Sequence, residues 1–129
     1  MAISLPTPRL VARILALAAI GFVSLFALDA FGHGKPILVQ IKDFLIHLIP
    51  SFILLIAFFI AYKRELIGGI IFILIGLANA PWIYKNNYAM NQSVGMSLLI
   101  ITTLLAPFII AGILFIVSYF KTKKANKAT

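Results

Sequence analysis

The chain has 129 residues, of which 63% are hydrophobic and only 11% are charged. A soluble domain carries about 25% charged residues, so this composition predicts a protein embedded in lipid. The absence of cysteine excludes disulfides, thiolate metal sites and cysteine nucleophiles. The formal net charge is +8, but the basic residues flank apolar runs and form no patch, a pattern that argues against nucleic-acid binding.

Four apolar runs are long enough for transmembrane helices, each of which needs about 20 residues. In chain order we predict spans over residues 10–31, 36–62, 66–84 and 93–120, joined by short connections in a single domain over residues 1–120. The fold class is therefore predicted to be all-α: an integral membrane four-helix bundle with antiparallel, up-down topology. We expect residues 121–129 to form a basic, disordered cytoplasmic tail that touches anionic lipid.

The first run also has the basic start and apolar core of a signal peptide. A small-x-small cleavage site is difficult to place near ALDAFG, so we interpret the run as a retained span. Charge then predicts the orientation, because basic residues concentrate on the cytoplasmic side. With both termini in the cytoplasm, eight basic residues lie inside and three outside. The outside set is Lys35, Lys42 and Lys85.

Small residues recur on the second and third runs, and such residues let helices approach closely in lipid. Ala57 and Ala61 lie four apart on the second run, while Gly69, Gly76 and Ala80 share a face of the third. We predict that these faces form the seam of a helical hairpin. Ordinary packing within one chain is the simplest interpretation, and an interface between copies of the chain is the alternative.

Two prolines and one polar stretch interrupt the apolar pattern. Pro50 and Pro107 remove backbone hydrogen bonds and are expected to kink their helices. The stretch KNNYAMNQS, residues 85–93, is expected to form an outer turn before the last span.

Polar residues are predicted to meet in the outer half of the bundle. His47 lies one helical turn deeper than Asp43, Asn79 lies near the depth of His47, and Asp29 lies at the outer end of the first span. Asp43 and His47 are four apart and share a helix face. An ionisable group within a span is by default a functional-site hypothesis. A polar clamp between helices, a proton relay, a metal or haem site at His47, and a hydrolytic set with Ser51 are the alternatives. We expect no catalytic residue, no metal site and no cofactor.

Glu65 begins the third run beside Lys63 and Arg64. A carboxylate at the start of a helix favours the helix dipole. We therefore interpret Glu65 as a cap and charge partner.

Three segments carry a resemblance: SLFALDAFG at 24–32, LIHLIPSFILL at 45–55 and ELIGGIIFILIGL at 65–77. They resemble a family of small four-span bacterial inner-membrane proteins of unknown function, which combine an FALD-x-F segment, an HLIP segment and a glycine pair in the third helix. The resemblance implies a multi-pass protein of the bacterial cytoplasmic (inner) membrane and brings no known activity. The positions that the family's pattern uses are Asp29, His47, Pro50, Glu65, Gly68 and Gly69.

These features together predict a small, non-enzymatic integral membrane protein. We expect an accessory or interaction subunit of a larger complex, or a self-associating bundle. Its partners would be the lipid bilayer and another membrane protein or a second copy of the chain, but not nucleic acid. Transport of protons or a small solute through the polar cluster is one alternative, and haem or metal binding by His47 is another.

Overall fold

The computed structural model describes residues 7–128, so the predicted start of the domain at residue 1 and the end of the tail at residue 129 lie outside the described residues. Within them the chain is all-α, as predicted. A 3-10 helix, Phe26–Ala30, continues the first helix. The helices are α1 Thr7–Leu25, α2 Ile37–His47, α3 Ile49–Lys63, α4 Glu65–Asn91 and α5 Val94–Ala128.

Four helical stretches are long and apolar enough to cross a membrane, in agreement with the four predicted runs. The second stretch contains both α2 and α3, which meet at Leu48. Pro50 explains this break, because it lacks a backbone N–H and its ring disrupts a continuous helix. It stands instead in the first turn of α3, where proline is tolerated.

The prediction of a turn over residues 85–93 is wrong for most of that stretch, because α4 continues to Asn91. Asn86 and Asn87 each donate a hydrogen bond from Nδ2 to the carbonyl four residues earlier, at 3.0 and 2.8 Å. These side chains therefore lie along the helix and do not open a turn. The chain turns only at Gln92, which adopts a left-handed conformation with φ of 53°.

The basic tail was expected to be disordered, but α5 continues through it to Ala128. Lysine and alanine are good helix formers. Thr122 also anchors this segment, because its hydroxyl oxygen accepts a hydrogen bond from Arg9 of α1 at 3.0 Å. Pro107 lies inside α5, and the helix continues across it.

The four long stretches form a ring: α1 packs against α3 and α5, and α4 also packs against α3 and α5. The helix α2 packs on the 3-10 helix. Arg9 near the start of α1 contacts Glu65 at the start of α4 and Thr122 near the end of α5, so these termini meet. We call this the basic end, and the opposite end, with the connections at residues 31–36 and 92–93, the far end.

Aromatic packing fills the centre of the bundle between α4 and α5. Phe72 stacks between Phe108 and Phe115, with ring centroids 6.2 and 6.0 Å apart, and all three side chains are buried. Large apolar side chains also point outward on every helix, among them Ile14, Leu38, Ile56, Leu74 and Leu99. A surface of this kind is typical of a multi-pass membrane protein.

The predicted hairpin seam is only partly formed. At Gly68, an added Cβ would overlap the backbone of Ala61, so α3 and α4 do approach closely there. Gly69 and Gly76, however, face α5, and a Cβ on Gly69 would lie 2.6 Å from the carbonyl oxygen of Gly112. The reason is that neighbouring helical residues point about 100° apart, so a glycine pair serves two different helix interfaces.

Candidate functional site

The four members of the predicted polar cluster lie on three different elements, the 3-10 helix, α2 and α4. Within residues 7–128, no hydrogen bond or ion pair joins the side chains of Asp29, Asp43, His47 and Asn79. Asp43 instead pairs with Lys35, with Nζ and Oδ2 2.9 Å apart. His47 places Nδ1 2.7 Å from the backbone oxygen of Asp43. Asn79 donates Nδ2 to the carbonyl four residues earlier, at 2.7 Å. A functional role for this cluster stays a prediction.

The described residues contain no group of three or more histidine, cysteine, aspartate and glutamate side chains placed to hold a metal ion. His33 and His47 each direct a ring nitrogen at the backbone oxygen of the residue four positions earlier in the chain. Both histidines are exposed. Each imidazole therefore retains one ring nitrogen for a further partner.

A cavity of about 450 Å³ opens between the four stretches in the far half of the bundle, and we call it the far cavity. Pro50 stands in its wall, and Phe108 of the aromatic stack borders it toward the centre. Asn79 and Trp82 are exposed, so the cavity opens to the surface of the bundle. Its lining residues are Val23, Phe26, Pro50, Ile53, Leu54, Ile75, Gly76, Asn79, Trp82, Ile83, Asn86, Asn87, Leu104, Leu105 and Phe108.

One wall of the far cavity is polar. Asn86 and Asn87 follow Asn79 by seven and eight residues on α4, which is about two helical turns. All three residues line the cavity. Each amide donates one N–H to its own helix. An asparagine has a second N–H and an acceptor oxygen as well. The cavity is therefore apolar with a row of amides on one side.

Sequence reasoning missed the cavity role of Asn86 and Asn87, because it assigned both to a turn. A usable signal was present, since the spacing from Asn79 to Asn86 is seven residues. Such spacing is typical of one helix face.

An ion pair closes the basic end. Arg9 donates Nε to Glu65 Oε1 at 2.8 Å, and its Nη2 lies 2.5 Å from the same oxygen. Both side chains are largely buried, with 19% and 10% of their surfaces exposed. Glu65 is thus a charge partner, as predicted, but its partner comes from α1 and not from the neighbouring Lys63 or Arg64.

A second basic side chain joins α1 to α3. The guanidinium carbon of Arg13 lies 3.8 Å from the centroid of the Tyr62 ring. At this distance a guanidinium is attracted by the ring electrons. The Nε atom of Arg13 is buried without a hydrogen-bond partner in the described residues.

A second cavity, of about 390 Å³, lies beside the Arg9–Glu65 pair, and we call it the basic cavity. Three of its lining side chains are cationic and one is a carboxylate. The Glu65 Oε2 atom is buried and has no hydrogen-bond partner in the described part of the chain. The lining residues are Arg9, Glu65, Tyr119, Thr122, Lys123, Asn126 and Lys127.

Sequence reasoning used Arg9 only for orientation and placed Thr122 and Lys123 in a disordered tail that touches anionic lipid. Arg9 is separated from Glu65 by 56 residues and from Thr122 by 113. No local motif links positions so far apart. The only signal was the up-down topology, which brings the first, third and fourth spans together at one end.

Comparison with known proteins identifies a family whose function is unknown. No curated protein and no solved structure matches the chain. A family model described as "Domain of unknown function (DUF7670)" matches residues 1–127, which agrees with the resemblance to an uncharacterised family. The chain therefore belongs to the DUF7670 family, a domain of unknown function.

Proposed function

We propose that the chain is a small, non-enzymatic protein of the bacterial inner membrane, which crosses the membrane four times with both termini in the cytoplasm. The basic end supports this orientation, because it gathers Arg9, Arg13, Lys63, Arg64 and the lysines of the α5 tail. Basic residues concentrate on the cytoplasmic side of membrane proteins. The bacterial location is supported by the resemblance of the FALD-x-F, HLIP and glycine-pair segments.

We infer that its function is to hold one amphiphilic molecule of the membrane in the far cavity. The observation that supports this role is the far cavity itself, an apolar space among four helices with a row of amides on one wall. Its volume of about 450 Å³ lies within the range of about 300–1,000 Å³ found for ligand pockets. A transmembrane helix, about 10 Å across, is too large for this space.

The polarity of the far cavity points to the shape of its occupant. From Ile75 to Asn87 the wall of α4 extends about 18 Å, at 1.5 Å per residue. The inner end of the cavity, at Ile75 and Phe108, is apolar, Asn79 lies further out, and the outer part carries Asn86 and Asn87 beside Trp82. An occupant with a hydrocarbon chain and a hydrogen-bonding end fits this gradient, because the amide groups satisfy the polar end and the apolar wall takes the chain.

Self-association is less well supported than the binding of a small molecule in the far cavity. The small residues on α1 and α3 that let helices approach, including Ala12, Ala16, Ala57 and Ala61, are buried within the bundle. They already serve packing inside one chain, which is the simplest interpretation of such stripes. Transport through the polar cluster and haem or metal binding at His47 are the other candidates.

The test is purification in a mild detergent, followed by native mass spectrometry and a visible spectrum of the same sample. We expect one chain with one extra small mass that organic solvent releases as a lipid-like molecule. The variant Val23→Phe places a larger side chain in the wall of the far cavity and should lose this mass. The control Val94→Phe adds the same volume at an exposed site outside the cavity and should retain it.

Other outcomes would overturn the proposal. A second protein chain in place of the small molecule would indicate an interaction subunit, and two copies of this chain would indicate self-association. Bound haem or metal, lost in His47→Ala, would make that histidine the centre of the function. A pH-dependent flux in reconstituted vesicles that His47→Ala abolishes would support transport.

A further inference from the structure

The basic cavity contains an immobilised guanidinium. Arg9 donates Nε to Glu65 at 2.8 Å and Nη2 to Thr122 at 3.0 Å. These two bonds fix the plane of the side chain. Among the described residues, the Nη1 group makes no hydrogen bond, so its N–H donors are available to an occupant of the cavity that Arg9 lines.

Two lysines complete the cationic lining. Lys123 and Lys127 lie four residues apart on one face of α5, and both border the cavity. The Nζ atom of Lys123 lies 5.9 Å from the centroid of the Tyr119 ring, which holds it at the cavity wall. The single carboxylate, Glu65, is already paired with Arg9. The lysine charges are therefore uncompensated within the lining, and the cavity attracts anions.

We propose that the basic cavity binds a phosphate monoester group. A guanidinium with free N–H groups and nearby lysines is the usual set of donors for phosphate oxygens. A monoester carries about −1.5 to −2 charges at neutral pH. Two uncompensated lysines with the remaining donors of Arg9 match this charge better than they match a singly charged phosphodiester.

Two kinds of molecule could supply the phosphate monoester group. One is the headgroup of a lipid with a terminal phosphate, and the other is a soluble phosphate monoester. The basic cavity lies at the opposite end of the bundle from the far cavity, so this proposal does not depend on the proposed function.

The test compares two double variants of α5. Lys123→Gln with Lys127→Gln removes the lysines of the cavity, whereas Lys121→Gln with Lys124→Gln removes the same charge from the same helix outside the lining. Arg9 and Glu65 stay intact in both, so the closure of the basic end is preserved. The full chain is placed in phosphatidylcholine nanodiscs, and its binding to phosphatidate, phosphatidylglycerol and free glycerol phosphate is measured by native mass spectrometry.

We expect phosphatidate to bind more tightly than phosphatidylglycerol. The Lys123/Lys127 variant should weaken this binding by roughly tenfold or more, because it removes charge-assisted hydrogen bonds. The Lys121/Lys124 variant should retain the affinity within about twofold, as expected for screened surface charges. If glycerol phosphate shows the same dependence and phosphatidate does not, the proposed site stands and its ligand is soluble.

Two results would overturn the proposal. Equal losses in the two double variants would show that the tail attracts anions without a site. Equal affinities for phosphatidate and phosphatidylglycerol, together with binding of glycerol phosphate that does not depend on Lys123 and Lys127, would show that the cavity does not recognise the monoester.

Discussion

Gly69 of α4 and Gly112 of α5 face each other so closely that a Cβ atom on either one would lie 2.6 Å from the carbonyl oxygen of the other. The approach brings the two backbones into contact. Phe72 and Phe115, each three residues after one of these glycines, stack on each other, and both side chains are buried. Because the glycines have no side chains, α4 and α5 come close enough for these aromatic rings to stack.

Replacing either glycine should separate α4 from α5. We expect Gly69→Ala and Gly112→Ala each to lower the free energy of unfolding by about 1–3 kcal/mol, since the added methyl group meets backbone atoms that cannot move independently. Unfolding by sodium dodecyl sulfate in mixed micelles, followed by circular dichroism, measures this change. As controls, Gly21→Ala and Gly95→Ala place a methyl group in open space. They should leave stability unchanged or raise it by up to about 1 kcal/mol, and a loss equal to that at Gly69 would contradict the explanation.

The Arg9–Glu65 pair should show strong energetic coupling. Removing one partner leaves the other largely buried charge without its ion pair, which is more costly than removing both. We therefore expect the losses in Arg9→Met and Glu65→Leu to sum to more than the loss in the double variant, with a coupling energy of about 1–3 kcal/mol in the double-mutant cycle. The same detergent titration gives the four values. Additive single effects would show that the pair contributes little.

Two buried serines should respond in opposite directions. The Oγ atoms of Ser24 and Ser51 lie 2.8 Å apart and join α1 to α3, whereas the buried Oγ of Ser118 has no hydrogen-bond partner within residues 7–128. We expect Ser51→Ala to destabilise the protein by about 0.5–1.5 kcal/mol, the range measured for hydrogen bonds between membrane helices. Ser118→Ala should be neutral or stabilising, because it removes an unsatisfied polar group. Equal losses at both sites would indicate a packing effect of the lost oxygen atom.

Single cysteines test the orientation, since the chain has none of its own. Ala125→Cys lies in the tail at the basic end, and Gln92→Cys lies in the connection at the far end. In intact cells we expect a membrane-impermeant maleimide to label Gln92→Cys only, and permeabilised cells to label both. Labelling of Ala125→Cys in intact cells would reverse the proposed orientation.

Much of the fold follows from local properties of the sequence. A helix in lipid satisfies its backbone hydrogen bonds within itself, so four long apolar runs such as residues 66–84 already indicate four helices. The ends of the helices were harder to predict, because local side chains can extend a helix beyond its apolar run. Asn86 and Asn87 are common turn residues, but along α4 their amides bond to the helix carbonyls.

The sequence by itself therefore determined the all-α class, the number of long apolar helical stretches and the concentration of basic residues at one end, because each of these depends on composition and on spacing along the chain. Only the tertiary structure decided which helix faces meet. The rotation of each helix about its axis depends on packing with its neighbours, and this rotation directs Gly69 toward Gly112 and Arg9 toward Glu65. The far cavity and the basic cavity arise from the same packing, since residues of several helices line each one and no single segment contains either site.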